Sequence, residues 1–367
     1  MTPTLDRLAA TGVVFDSHFL EDLGTDSPRH AWWSGRFEHV SPEMSSSPNL
    51  FECLADCGAE SRVISHQQHV ALPWPDHESV NQFPTDGVEI HEHNFQRGML
   101  QIQEWKDTPS DQPRLLWIHT PGAFDFRQTE TWEPFLSESG LDSEMTETLL
   151  QDLDQEKSWS KEQVDFWRQW QRSHVTQLDR QIGRLCEQVE QLDADATVVV
   201  TAARGELPIN SSLMPACSAH LATSCVQTPL IVSGSRTKNA IRRRELTQAI
   251  DLPPTLLKML TDREAPDSWS GRDLTALFES NGTILSGWDR ETVYLGSRQP
   301  KRFGVRTPYF YFTATQSDEE FMDEETMLFH LPDDPHGIHD IARQEPDVVD
   351  ESIQKYREFQ AASGNSG

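Results

Sequence analysis

Arg204 lies in a short loop after a predicted buried strand, a place where α/β proteins commonly carry functional side chains. The strand is indicated by the apolar and β-branched run from Val198 to Thr201, which small residues and a glycine follow. A guanidinium is permanently charged and carries several N–H donors in one plane, so Arg204 could bind an oxyanion such as sulfate or carboxylate. Neither it nor the methyl group of Ala203 can ligate a divalent cation. The loop therefore favours anion binding over metal chemistry.

The other candidates for metal or redox chemistry are short pairs of histidines and the cysteines. His91 and His93 lie in an acidic stretch, and His336 and His339 follow the last predicted strand. A pair of imidazoles alone does not make a cation site, so we expect both pairs on the solvated surface. The cysteines are odd in number and lack CxxC spacing, which predicts free thiols. They are Cys53, Cys57, Cys186, Cys217 and Cys225.

The length and charge of the chain limit its class of function. Its 367 residues suffice for one large domain and a smaller one. With 59 acidic and 31 basic residues the net charge is −28, which favours solubility and excludes nucleic acid and anionic membranes as general partners. No apolar run could span a bilayer, and no basic and apolar leader opens the chain. We expect a cytoplasmic protein from the chain as given, and an exported one if the true N terminus lies upstream.

The hydrophobic pattern alternates strands with helices over the first part of the chain, which predicts a mixed, mostly parallel sheet sandwiched by helices. Predicted strands span residues 13–19, 62–64, 115–119, 198–201 and 229–232. Predicted helices span residues 5–10, 47–56, 95–105, 160–192 and 245–260, the last one broken at Pro253 and Pro254. Closely spaced short strands and one helix then predict a small antiparallel sheet plus helix. We therefore expect an α/β domain over 1–282, an α+β subdomain over 283–361 and a disordered tail over 362–367.

Six segments carry a family resemblance in the same order along the chain. They are Thr2–Ala9, Arg29 with Ser34-Gly35-Arg36, residues 197–206, Thr228–Val232, Ile250–Leu257 and Leu328–Gly337. Together they resemble the sulfatases of the alkaline phosphatase superfamily. The resemblance implies the α/β sandwich of that superfamily, here without the N-terminal strand that carries two metal-binding aspartates.

The resemblance also implies a nucleophile position and a set of anion contacts. In the family, the residue four positions before the signature arginine is a Cys or Ser that becomes formylglycine. Counting back from Arg29 gives Thr25, which is not a substrate for that conversion. The family's lysine contact to sulfate aligns with His66, and its histidine contact aligns with Gln68. His220 lies where another lysine is expected, so the implied anion-binding residues are Arg29, His66, Arg204 and His220.

A divalent cation such as calcium is implied by the family but not by these residues. The Asp-His pair of family metal ligands aligns with Ala203 and Arg204. A cage without these ligands and the N-terminal aspartates does not hold a cation at ordinary concentrations, so we expect no cofactor and no metal ligand. Two interpretations of Arg204 stay open. It either forms a positive pocket with Arg29 and His66 that holds sulfate, or pairs with Glu206 and plugs the former metal site.

Three functions follow from these alternatives. The first is a catalytically impaired homologue of sulfuric-ester hydrolases that binds sulfate, sulfated glycans or another anionic small molecule. The second is an active sulfate- or phosphate-ester hydrolase in which Thr25 attacks, assisted by Arg29, His66 and His220. The third is a structural or interaction protein that uses its acidic surface. The sequence alone leaves open whether the chain is an enzyme.

Overall fold

A computed structural model of the protein describes residues 2–22, 27–37, 47–66, 80–83, 90–120, 161–205, 221–237, 240–279, 288–298, 301–317, 320–321 and 326–364. The described helices are α1 (Pro3–Thr11), α2 (Ser27–Ser34), α3 (Leu50–Asp56), α4 (Ile90–Asp107), α5 (Lys161–Leu192), α6 (Thr223–Val226), α7 (Leu252–Thr261), α8 (Ala276–Glu279) and α9 (Pro346–Gly364). A 3₁₀ turn, Ala249–Asp251, precedes α7. None of these helices is both long and apolar enough to cross a membrane.

The described strands follow the predicted alternation with helices. They are β1 (Val13–Phe15), β2 (His18–Phe19), β3 (Glu60–His66), β4 (Val80–Phe83), β5 (Arg114–Ile118), β6 (Thr197–Thr201), β7 (Leu230–Gly234), β8 (Ile241–Arg243), β9 (Thr247–Gln248), β10 (Val293–Arg298), β11 (Lys301–Arg306), β12 (Phe310–Ser317), β13 (Glu320–Phe321) and β14 (Met327–His330). Residues 13–19 were expected as one strand, but a turn separates β1 from β2. The prolines of α7 lie in its first turn instead of breaking it, because the first turn needs no amide donor from them.

The sheets of the first part of the chain are mixed and mostly parallel, as predicted. One has the order β6-β7-β1-β8, in which β7 is antiparallel to both neighbours and β1 is parallel to β8. A second sheet, β4-β3-β5, is parallel throughout, and β2 and β9 form a further parallel pair. The antiparallel direction of β7 differs from the parallel arrangement expected from its buried apolar run. A continuous apolar run indicates that a strand is buried on both faces, but it does not indicate the direction of the strand relative to its neighbours.

Helices cover both faces of the β6-β7-β1-β8 sheet. Alternate residues such as Val14, Val198 and Ile231 pack with α1 and α5, whereas Val13, Val199 and Val232 face a core that includes α2 and α7. The two-residue period of the strands sends successive side chains to opposite layers. This arrangement confirms the predicted sandwich.

The C-terminal sheet is antiparallel, as expected, and is buried on both faces. One face packs on α9, where the rings of Phe303 and Tyr356 stack with centroids 4.1 Å apart. The other face, which includes Tyr311, packs on β2 and α6. The last helix extends to Gly364 and so enters the segment expected as a disordered tail, because the alanines at 361 and 362 are strong helix formers.

Candidate functional site

The strand before Arg204 and the strand that leads toward Thr25 end at the same edge of the central sheet. Strands β6 and β1 are both antiparallel to β7, and their last residues Thr201 and Phe15 both pair with Leu230. Their carboxyl ends therefore lie together. The segment after β1 returns along α6, with the Leu20 amide donating to the Val226 carbonyl at 2.8 Å. It leads toward Thr25, which lies outside the described residues, as does His220.

Two further predicted residues lie on neighbouring elements. Arg29 belongs to the first turn of α2, and His66 is the last residue of β3. The end of β3 lies beside β5, where the His119 amide donates to the Ile64 carbonyl at 2.8 Å. The ring of His119 is in turn 6.4 Å from the ring of Trp32 in α2. The backbone therefore places the Arg29 helix beside the strand end that carries His66.

The Ser-Gly-Arg part of the resemblance has a local structural basis. Gly35 ends α2 with a φ of +64°, a left-handed conformation that favours glycine. Its amide donates to the Ala31 carbonyl at 2.9 Å, and the Ser34 hydroxyl accepts from the Arg36 amide at 3.2 Å. These bonds close the end of the helix whose start carries Arg29.

In the loop after β6, the neighbouring residues Ala203 and Arg204 have different environments. Ala203 is partly buried and packs against the central apolar core, whereas Arg204 is exposed. Gly205 donates its amide to the Cys225 carbonyl at 2.8 Å. A Cβ on Gly205 would lie 1.9 Å from the Ser224 carbonyl oxygen, so only glycine allows the loop to approach α6 this closely. The loop is thus held against α6 with the guanidinium directed to solvent.

This arrangement does not fit the divalent cation of the family. The methyl group of Ala203 contacts apolar side chains, and Arg204 carries no acceptor lone pair. Within the described ranges, no group of three or more histidine, cysteine, aspartate or glutamate side chains could hold a metal ion. His336 and His339 are exposed, in agreement with the surface position expected for them. The described cysteines, at 53, 57, 186 and 225, form no disulfide with one another.

A cation that sequence reasoning missed contacts α6. Arg306 of β11 places Nη1 3.4 Å from the Thr223 hydroxyl oxygen, and its guanidinium carbon is 4.5 Å from the centroid of the Phe19 ring. Burial lowers the pKa of Arg306. The neighbouring Tyr311 hydroxyl donates to the Leu221 carbonyl. The only signal in the sequence is the alternation of Arg302, Gly304 and Arg306 in an otherwise acidic chain.

A buried ion pair ties the strand after residue 288 to the central core. The fully buried Asp251 carboxylate accepts a bidentate contact from Arg290, with Nη2 2.7 Å from Oδ1. The carboxylate also accepts the Gln248 amide at 2.7 Å and the Arg272 amide at 2.8 Å. These bonds satisfy the oxygens of a charge that would otherwise be costly to bury.

The fully buried His18 adjoins this pair. Its Nδ1 lies 3.0 Å from the Thr247 hydroxyl, while its Nε2 has no hydrogen-bond partner in the described part of the chain. Burial is the main cause that lowers the pKa of His18 from its usual 6.5 to about 4. The negative charge of Asp251 opposes this shift and the positive charge of Arg290 adds to it. His18 is therefore neutral in the folded protein near neutral pH.

Comparison with known proteins gives a family match and several structural likenesses. Residues 1–262 match the family model described as Sulfatase, whereas a search of curated protein sequences found no match. A protein solved in complex with its substrate D-glucosamine-2-N,6-O-disulfate superposes with a TM-score of 0.74 at 15% identity, covering 99% of this chain and 93% of that one.

Two further solved structures have similar folds. A Bacteroides thetaiotaomicron protein described with the metabolism of multiple glycosaminoglycans has a TM-score of 0.74 at 14% identity, covering 96% of this chain and 87% of that one. The phosphonate monoester hydrolase of Silicibacter pomeroyi has a TM-score of 0.68 at 14% identity, covering 100% and 91%. At these identities the likenesses show the fold alone.

Proposed function

The chain belongs to the sulfatase family, and from that premise we propose that it binds sulfate or sulfated glycans without metal-dependent hydrolysis of the ester. Its fold is that of the alkaline phosphatase-like hydrolases. The fold alone does not license the activity, because function depends on the residues of the site.

The observation that carries the proposal is the loop after β6. At the two positions that the sequence resemblance aligns with adjacent metal ligands of the family, Ala203 packs into the core and Arg204 is exposed. Without a cation, a hydroxyl such as that of Thr25 lacks the charge that would ionise it near neutral pH. Arg204 keeps one positive charge at that place, and a guanidinium matches a tetrahedral oxyanion with two parallel hydrogen bonds. Loss of turnover with retention of anion binding accounts for both substitutions.

The nature of the ligand is supported by what one structural neighbour binds. One neighbour was solved in complex with its substrate D-glucosamine-2-N,6-O-disulfate, a sulfated sugar. Its fold superposes on 99% of this chain. In a chain of net charge −28, an anionic ligand needs a local positive group to offset the surrounding field. Arg204, together with Arg29 on α2 and His66 at the end of β3, belongs to the residue types that can carry this charge.

The first test combines a metal determination with an activity assay. Elemental analysis of the full chain should give no stoichiometric divalent metal, and aryl sulfate and aryl phosphate should not be hydrolysed. Stoichiometric metal together with turnover that is lost on Thr25→Ala would contradict the proposal and indicate the hydrolase alternative.

The second test measures sulfate binding directly. Titration calorimetry with sodium sulfate and with glucosamine 6-sulfate should give binding that Arg204→Gln weakens about tenfold, because a charge-assisted contact is lost. The matched control is Arg7→Gln in α1, an exposed arginine whose Nη1 lies 2.7 Å from Glu190. The control should bind as the wild type does. Absence of heat with the wild-type protein would contradict a binding role and leave the structural one.

A further inference from the structure

Arg306 lies on the face of the C-terminal sheet that packs against the first part of the chain. In the antiparallel register it pairs with Val293 on one side and Tyr311 on the other, so the three side chains share one face. Both Val293 and Tyr311 belong to the apolar cluster that joins this sheet to β2 and α6. A guanidinium on this face is therefore surrounded by apolar and aromatic groups.

The contacts of Arg306 do not use the hydrogen-bonding capacity of its guanidinium. Its Nε is buried and has no hydrogen-bond partner among the residues that the structure describes, and its contact to Thr223 at 3.4 Å is long. Within the described residues no carboxylate forms an ion pair with it. The rings of Phe19 and Tyr311, at 4.5 and 5.4 Å from the guanidinium carbon, stabilise the charge by cation–π attraction but accept no hydrogen bonds. A half-buried positive charge with free donors is a site that an anion would complete.

The position of Arg306 relates it to the loop of Arg204. Gly205 contacts Cys225 and Ser224 of α6, and Arg306 contacts Thr223 of the same short helix. The short helix α6 therefore contacts both the loop that carries Arg204 and the side chain of Arg306. The Tyr311 hydroxyl fixes the Leu221 carbonyl just before that element.

We propose that Arg306 is a second anion-binding residue and holds a tetrahedral oxyanion together with the Thr223 hydroxyl. The proposal rests on the proposed function, since it names a further residue that would bind the sulfated ligand. Inorganic phosphate shares this chemistry, so the two anions are separate arms of the test.

The experiment measures anion binding to the full chain by calorimetry, with sodium sulfate and sodium phosphate as probes at constant ionic strength. We expect Arg306→Gln to weaken sulfate binding about tenfold and Thr223→Val to weaken it by a smaller factor. Arg7→Gln serves again as the control for loss of one positive charge. A loss of phosphate affinity in Arg306→Gln without a loss of sulfate affinity would support Arg306 as an anion contact while contradicting sulfate as its ligand.

The outcomes separate this inference from the function on which it rests. If Arg204→Gln loses sulfate binding and Arg306→Gln binds as the wild type does, the Arg306 proposal is wrong and the proposed function stands. If the wild-type protein binds neither anion, both fail. Unfolding of each variant without ligand shows whether it is folded. If Arg306→Gln is not, Arg306→Lys replaces it, because a point charge cannot reproduce the bidentate fork, and wild-type affinity in that variant would overturn the proposal.

Discussion

Lowering the pH from 7 to 5 should destabilise the folded protein through one buried residue, His18. Its ring is fully buried, and its pKa in the folded protein is about 4 compared with 6.5 for an exposed imidazole. The unfolded chain therefore binds a proton between these two values while the folded protein does not. The sign follows from linkage: the contribution of His18 to stability is fully present above pH 6.5 and is lost as the pH falls toward 4.

The size of the effect comes from the difference between the two pKa values. A shift of this size corresponds to about 3 kcal/mol of unfolding free energy once the pH is below both values. Roughly 2 kcal/mol of it should be lost between pH 7 and pH 5. Asp251 and Arg290 are the charged neighbours of the ring, and their opposite effects leave burial as the dominant cause.

The assay compares urea unfolding of the wild type and of His18→Gln across this pH range. A glutamine amide does not titrate and retains a group able to hydrogen-bond to the Thr247 hydroxyl. The stability gap between the two proteins should change by about 2 kcal/mol between pH 7 and pH 5, since the other titrating groups are common to both and cancel. His339→Gln, which removes an exposed imidazole, is the matched control. Parallel curves for wild type and His18→Gln would refute the assignment.

Two other substitutions probe the ion pair and the loop. Arg290→Ala should cost roughly 3–5 kcal/mol in a urea unfolding assay, because it leaves the buried Asp251 carboxylate without its charge partner. Arg272→Ala, at an exposed ion pair, should cost much less, and an equal loss would contradict the role of burial. Gly205→Ala should weaken sulfate binding in calorimetry, because the added Cβ would lie 1.9 Å from the Ser224 carbonyl oxygen and force the Arg204 loop away. Unchanged binding would show that the position of this loop does not matter.

The sequence predicts those parts of the fold whose pattern is local. The periodic apolar residues of α5 and the short buried run of β6 identify a helix and the strand after it. The place of Ala203 and Arg204 at the end of that strand is likewise a local property. The direction of β7 is not, because it depends on which strands become its neighbours in the sheet.

The missed residues are those defined by contacts between distant segments. Arg306 meets Phe19 and Thr223 only after the C-terminal sheet has packed on β2 and α6. His18 lies in a run that alternates like an ordinary strand, and nothing near it in sequence signals complete burial beside Asp251. The chemistry of both residues is a product of tertiary packing, which spacing along the chain does not encode.

Aromatic residues of α9 complete a part of the core that includes residues from near the start of the chain. The ring of Phe359 packs 4.8 Å from that of Phe37, just after α2, and stacks at 4.2 Å on Tyr294. A ribosome synthesises α2 long before α9, so an emerging chain exposes this part of its core until α9 is released. Such incomplete cores are aggregation-prone and are the surfaces that chaperones bind. The protein is thus most vulnerable during its own translation, and a premature stop before α9 should yield a product that is degraded rather than a shorter functional form.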